Sequence, residues 1–129
     1  MRHLLLPAAA AEAIRAHETF STPEECCGLL AGEPDVVRFV YPLTNADHSP
    51  TTFTIAPTEH FRSWRHALSN DWDLIGAFHS HPSGPSHPSR TDLALANEPE
   101  WVHLIVVGGE ISGWEIRNRI AEPVEINVR

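Results

Sequence analysis

The hydrophobic positions of this chain change period several times, and each change marks an element. From Pro7 an alanine-rich run sets Ala10, Ile14 and Phe20 near one helical face among Glu12, Arg15 and Glu18, so a helix with proline in its first turn is expected. Ser21-Thr22-Pro23 ends it. Cys26 to Ala31 is a continuous apolar run closed by Gly32, and Val36 to Tyr41 is a second run of strand character. Gly32-Glu33-Pro34-Asp35 between them is turn chemistry, so the two pair as a hairpin. After a loop over Pro42 to Pro50, the β-favouring residues Thr51 to Ile55 read as a short third strand. Pro57 opens a second helix in which Phe61, Trp64 and Leu68 recur at helical spacing until Ser69-Asn70.

Leu74 to Phe78 is an apolar run too short for a helix, and it ends in histidines; it reads as a central strand that delivers side chains to one end of a sheet. The next segment, His81 to Pro88, holds prolines at 82, 85 and 88 with Gly84, which stiffens an irregular loop. Ser89 then starts a helix through about Asn97. Leu104 to Val107 is another buried strand, and Gly108-Gly109 suits a two-residue turn into Ile111 to Arg117. Val124, Ile126 and Val128 alternate in the last strand. No repeat or linker interrupts this order, so residues 1–129 are expected to form one α/β domain. Met1-Arg2-His3 with the apolar residues behind it imitates a short signal peptide, but the helix reading from Pro7 accounts for that stretch better.

Charge narrows the functions. The formal net charge of -8 gives no overall basic field for a phosphate backbone, so nucleic acid is not an expected partner. All nine basic residues are arginine, and without lysine there is neither Schiff-base chemistry nor a P-loop lysine. No apolar run approaches the roughly 20 residues of a membrane span. The two cysteines, Cys26 and Cys27, are adjacent and cannot frame a disulfide scaffold, which suggests a cytoplasmic setting; in an apolar run beside Gly28 they read as core. Trp64, Trp101 and Trp114 suit core or sheet-cover positions, and Trp72 between two aspartates suits partial exposure.

The sharpest local feature is His79-Ser80-His81. On extended backbone i and i+2 project to one side, which can set two imidazoles on one ion. Further ligands are available in His87, Asp92, His103, Glu98 and Glu100. Asp92 is favoured because the first turn of a helix fixes it, whereas His87 lies between prolines at a loop tip and reads as a surface group. Ser89-Arg90-Thr91-Asp92 is also close to a capping box, and cap and ligand are compatible because i and i+3 share a helical face.

Taken together, His79-Ser80-His81-Pro82, the proline-rich stretch and Ser89-Arg90-Thr91-Asp92-Leu93 resemble the signature of the JAB1/MPN/Mov34 (JAMM) metalloproteases, with Asp92 eleven positions past His81. The family's upstream glutamate maps onto Pro23-Glu24-Glu25-Cys26-Cys27-Gly28-Leu29-Leu30, where Glu25 is the match; the residues themselves left Glu24 and Glu25 undecided, and the resemblance makes Glu24 a surface acid. It implies an MPN fold with a cytidine-deaminase-like layering, a mixed curved sheet flanked by helices, over nearly the whole chain. It further implies that His79, His81 and Asp92 hold one Zn2+ with an open fourth position, the mark of a catalytic rather than structural zinc. Glu25 would move a proton from water to the leaving amine, and Ser89 would donate to the developing oxyanion. The implied activity is a zinc metallopeptidase or isopeptidase of the short prokaryotic type, acting on the tail of a ubiquitin-like or sulfur-carrier protein bound extended, as an added strand at a sheet edge. The rival reading is a non-catalytic MPN-type module that binds such a partner around a structural zinc; a DNA-repair-associated relative with the same motif is disfavoured by the acidic balance.

Overall fold

A computed structural model describes residues Met1 to Arg129. In chain order the elements are β1 (Arg2–Leu6), α1 (Ala8–Ser21), β2 (Cys27–Glu33), β3 (Val36–Leu43), α2 (Pro57–Ser69), β4 (Asp73–Ser80), α3 (Arg90–Leu95), β5 (Val102–Val107), β6 (Glu110–Arg117) and β7 (Ile120–Val128). The strands form one mixed sheet that closes as a barrel in the order β1-β3-β2-β4-β5-β6-β7. The expected curved α/β sheet with flanking helices is therefore present. No helix is long and apolar enough to cross a membrane.

Local chemistry explains most elements. Pro7 caps α1, where its missing N–H costs nothing, and Pro57 sits in the first turn of α2. β2 and β3 form the expected antiparallel hairpin. Gly108 and Gly109 both take positive φ, 55° and 84°, which a tight β5–β6 connection demands and glycine accepts without strain. Gly28 answers to space rather than to dihedral angle: a Cβ there would come within 2.2 Å of both the Phe78 ring and the Tyr41 carbonyl, so only glycine lets β2 lie flat against Phe78.

One core cluster takes residues from strands around the barrel, Leu4, Leu30, Phe78, Leu104 and Val124 among them, together with Ala11 and Ile14, so α1 fills the inside of the curve. Fully burying a side chain such as Phe78 or Leu104 stabilises the fold by about 1.5–3 kcal/mol. A smaller cluster of Leu29, Ala31, Tyr41 and Ala67 lies where α2 covers the opposite face. Cys26 and Cys27 are buried and unpaired, as expected of core residues, and burial pushes their thiols up to about 11 and about 12, far from a nucleophile's range.

One strand had no counterpart in the sequence reading, and three expectations are corrected. Arg2–Leu6 is a strand, running parallel to β7 and touching β3; its β7 partners, Val124 to Val128, lie at the other end of the chain, out of reach of any local pattern. Thr51 to Ile55 is not a strand: its only ladder contact is the single bridge Asn45↔Ile55. Phe61, Trp64 and Leu68 form an exposed stripe of α2, because the small residues Ser63 and Ala67 turn to the sheet and let the helix approach closely; Trp64 is thus no core residue. Phe20 is 86% exposed and stacks on His17 instead of entering the core with Ile14. Trp72, Trp101 and Trp114 are half-buried.

Candidate metal and catalytic centre

β4 lies between β2, antiparallel, and β5, parallel, and so is held on both sides up to its last residue. Alternation then sends His79 and His81 one way and Ser80 the other. Ser80 locks the strand end: its hydroxyl accepts from Cys26 N at 2.7 Å and its own N–H donates to Cys26 O at 3.1 Å. His81 N–H donates to Val106 O at 3.2 Å, which extends the β5 pairing beyond β4. Both imidazoles are buried.

The third member comes from α3. Ser89 and Asp92 form a reciprocal capping box, with Asp92 N–H donating to Ser89 Oγ at 3.0 Å and Ser89 N–H donating to Asp92 Oδ2 at 2.9 Å. That cap turns Oδ2 toward the histidines, 3.1 Å from both His79 Nε2 and His81 Nε2, while the two Nε2 atoms are 3.0 Å apart. Burial alone would raise the Asp92 carboxyl, but the hydrogen bonds from His79 and His81 and the Ser89 N–H outweigh it and hold the group well below the usual carboxylate range. His81 is shifted upward, chiefly by its bond to Asp92 and against its own burial.

Whether this triangle suits a divalent cation can be judged from its donors. Three atoms of the right chemistry, two imidazole nitrogens and one carboxylate oxygen, converge with spacings of 3.0–3.1 Å, near the about 3.3 Å between ligands of a tetrahedral site with about 2.05 Å bonds. Pro85 O, which can only accept, lies 2.6 Å from His81 Nδ1, so in the neutral imidazole Nδ1 carries the proton and Nε2 turns its lone pair inward, as metal binding requires. The proline-rich loop that supplies this carbonyl is itself pinned, since Ser86 O accepts from Ser112 Oγ at 2.6 Å and from Trp114 Nε1 at 3.1 Å. The donor set fits zinc. His87, the candidate set aside in favour of Asp92, is exposed on that loop and outside the triangle.

Beside the triangle opens a cleft of about 720 Å3. Glu25, Thr51 to Ile55, His79, Ser89, Asp92 and His103 are among the residues that line it. Glu25 is 5% exposed, and burial pushes its carboxyl up to about 7, an effect that His81 opposes and Asp92 adds to. Glu24, by contrast, faces outward and pairs with His48 at 3.4 Å. All five residues named from the motif therefore meet in one place, drawn from the segment before β2, from β4 and its end, and from the start of α3.

Two neighbours, Phe53 and Asn45, escaped the sequence reading, and His103 entered it only as an alternative ligand. The Phe53 ring stacks on His79 with centroids 4.6 Å apart and planes 26° from parallel. His103, an alternative ligand from its place on a strand, lies outside the triangle but lines the cleft; burial, then the nearby His79, lower its imidazole to about 4, and its Nε2 is buried without a partner. Asn45 is a buried polar residue inside a segment that reads only as a loop. For Phe53, the apparent strand Thr51 to Ile55 was the available signal, but it concealed the ring's direction.

With this geometry established, known proteins offer a comparison. The sequence profile of the prokaryotic homologues of the JAB domain matches residues 7–119. The CysO-cysteine peptidase of Mycobacterium tuberculosis is 33% identical over 117 residues, covering 89% of this chain and 80% of the peptidase. The probable TtuB-protein conjugate cleaving protease of Thermus thermophilus is 35% identical over 107 residues, covering 82% of this chain and 70% of the protease. Among solved structures, protein DSY2949 from Desulfitobacterium hafniense superimposes with a TM-score of 0.89 at 33% identity, over 98% of this chain and 92% of that one. AF2198, a JAB1/MPN domain protein from Archaeoglobus fulgidus, superimposes with a TM-score of 0.68 at 22% identity over 98% of each chain, a likeness of fold. A profile match over most of the sequence, on a barrel that gathers the motif residues at one cleft, means that the chain belongs to the prokaryotic JAB-domain family of JAMM-type metallopeptidases.

Proposed function

We propose that this protein is a zinc-dependent metallopeptidase that hydrolyses an amide bond at the C-terminal tail of a ubiquitin-like or sulfur-carrier protein, working as one JAMM domain over residues 1–129. The observation that carries this reading is the meeting of His79, His81 and Asp92 with a buried, proton-accepting Glu25 at a single cleft. The names of the relatives, a CysO-cysteine peptidase and a TtuB-protein conjugate cleaving protease, support a bond joining a protein to cysteine or to another protein. Free, buried Cys26 and Cys27 are in keeping with work in the cytoplasm.

In this reading His79, His81 and Asp92 hold Zn2+. When bound, zinc would supply Lewis acidity, which polarises the scissile carbonyl and makes a water acidic enough to react near neutrality. Glu25 takes the proton from the attacking water as the new C–O bond forms, and gives it to the amide nitrogen as the C–N bond breaks. Burial favours the protonated form of this carboxyl, which helps it hold the proton between the two transfers. Ser89 Oγ spends its acceptor capacity on the Asp92 N–H, which leaves its hydroxyl proton to donate to the carbonyl oxygen as that atom gains charge. The tail lies extended in the cleft, between the Thr51 to Ile55 wall and the α3 wall around Leu95.

Metal analysis combined with cleavage of a carrier bearing a short C-terminal extension tests the proposal. Stoichiometric zinc and turnover are expected, with Glu25→Gln keeping the metal and losing hydrolysis and His81→Ala losing both. Stoichiometric zinc without turnover on several carriers would instead identify a binding module.

A further inference from the structure

Glu25 does not belong to a strand. β2 begins at Cys27, so no sheet ladder fixes the backbone of the acid. Both of its main-chain groups bond to the loop between β3 and α2: its N–H donates to Ser49 O at 2.9 Å, and its carbonyl accepts from Asn45 Nδ2 at 3.1 Å. Asn45 is 5% exposed, and its amide is fully engaged. Nδ2 also donates to Thr52 O at 2.9 Å and reaches Ser49 O at 3.3 Å, while Oδ1 accepts from Asp47 N at 3.0 Å and Thr54 N at 3.2 Å. One side chain thus ties the acid to both halves of an otherwise irregular loop. The same loop carries Phe53, whose ring lies on His79. A buried amide with all its valences used holds a single geometry, because any displaced partner would be left unsatisfied in a place water does not reach.

We propose that Asn45 is a positioning residue for the peptidase reaction, setting Glu25 and the Phe53 wall at their working distances through the hydrogen bonds of its amide. The inference rests on the reading of Glu25 as the proton carrier. Asn45→Asp preserves shape but replaces the donor nitrogen with an oxygen that faces the carbonyls of Glu25, Ser49 and Thr52. Asn45→Ser keeps one hydroxyl, which can donate once and accept.

The test measures kcat, KM and zinc content for both variants, alone and in a Glu25→Gln background, on a carrier with a C-terminal extension. Misplacing a catalytic group by about 1 Å costs on the order of 10²-fold in rate. Asn45→Asp should therefore lower kcat by about 10²-fold and Asn45→Ser by less, with KM within a few-fold and zinc unchanged, since no metal ligand lies in the loop. On the residual turnover of the Glu25→Gln background, read as single turnovers at high enzyme concentration, the same substitutions should cost almost nothing more, because the group they position is already gone. An equal loss in both backgrounds would overturn the inference while leaving the role of Glu25 intact. Loss of zinc or of folding in both variants would also overturn it, by assigning Asn45 to the fold itself. Full activity of Glu25→Gln alone would instead remove the reading on which the inference rests.

Discussion

Replacing the buried acid with its amide should make the metal-free protein more stable as it makes the enzyme inactive, and the gain should depend on pH in a way the structure specifies. Burial raises Glu25 from 4.5 to about 7. Below 4.5 the carboxyl is protonated in folded and unfolded chains alike and contributes no difference. As pH rises through this window the unfolded chain ionises first, so folded stability is progressively lost, and the loss is complete above about 7. At about 1.36 kcal/mol per pH unit the cost is about 1 kcal/mol at pH 5 and about 3 kcal/mol at pH 8. Glu25→Gln is neutral throughout and escapes it. Urea unfolding of both proteins, stripped of metal with a chelator, should show the variant's advantage growing by about 2 kcal/mol between those pH values; titrating groups that do not interact with Glu25 cancel in the difference. An advantage that stays flat with pH, or a variant less stable at pH 8, would refute the claim that desolvation dominates at this carboxyl. The inverse movement of stability and turnover is the usual cost of keeping a charged group in a dry site.

Other outcomes follow from single contacts. Chelation should abolish turnover and lower the melting temperature, and zinc should restore both; a ligand at about 1,000 times its Kd adds about 4 kcal/mol, readable as a thermal shift. Ser89→Ala removes both the cap of α3 and the oxyanion donor, so it should cost about 1 kcal/mol in unfolding free energy and about 10²- to 10³-fold in kcat, with peptide turnover and urea titration as the two measurements. Trp114→Phe deletes the bond to Ser86 O, loosening the loop whose Pro85 carbonyl orients His81; competition with a chromogenic chelator should show zinc affinity reduced by about 10-fold.

Local chemistry was legible in the sequence. The alternation that turns His79 and His81 to one side, the cap that aims Asp92, the glycine turn at 108–109 and the proline starts of the helices depend on neighbours within a few residues, and such patterns are legible without coordinates. Whatever depends on partners far along the chain emerged only in the packed fold. The pairing of Arg2–Leu6 with β7, which closes the barrel, joins opposite ends of the sequence. Thr51 to Ile55 has the composition of a strand but stays a loop, because Asn45 takes up Thr52 O and Thr54 N, groups a neighbouring strand would otherwise bond. The larger apolar residues of α2 point outward because the sheet beneath admits only Ser63 and Ala67. Glu25 and Glu24 are identical in type and adjacent, yet one is sealed in the cleft and the other faces water beside His48. The raised carboxyl of Glu25 comes from desolvation, a property of the packed surroundings and not of the residue.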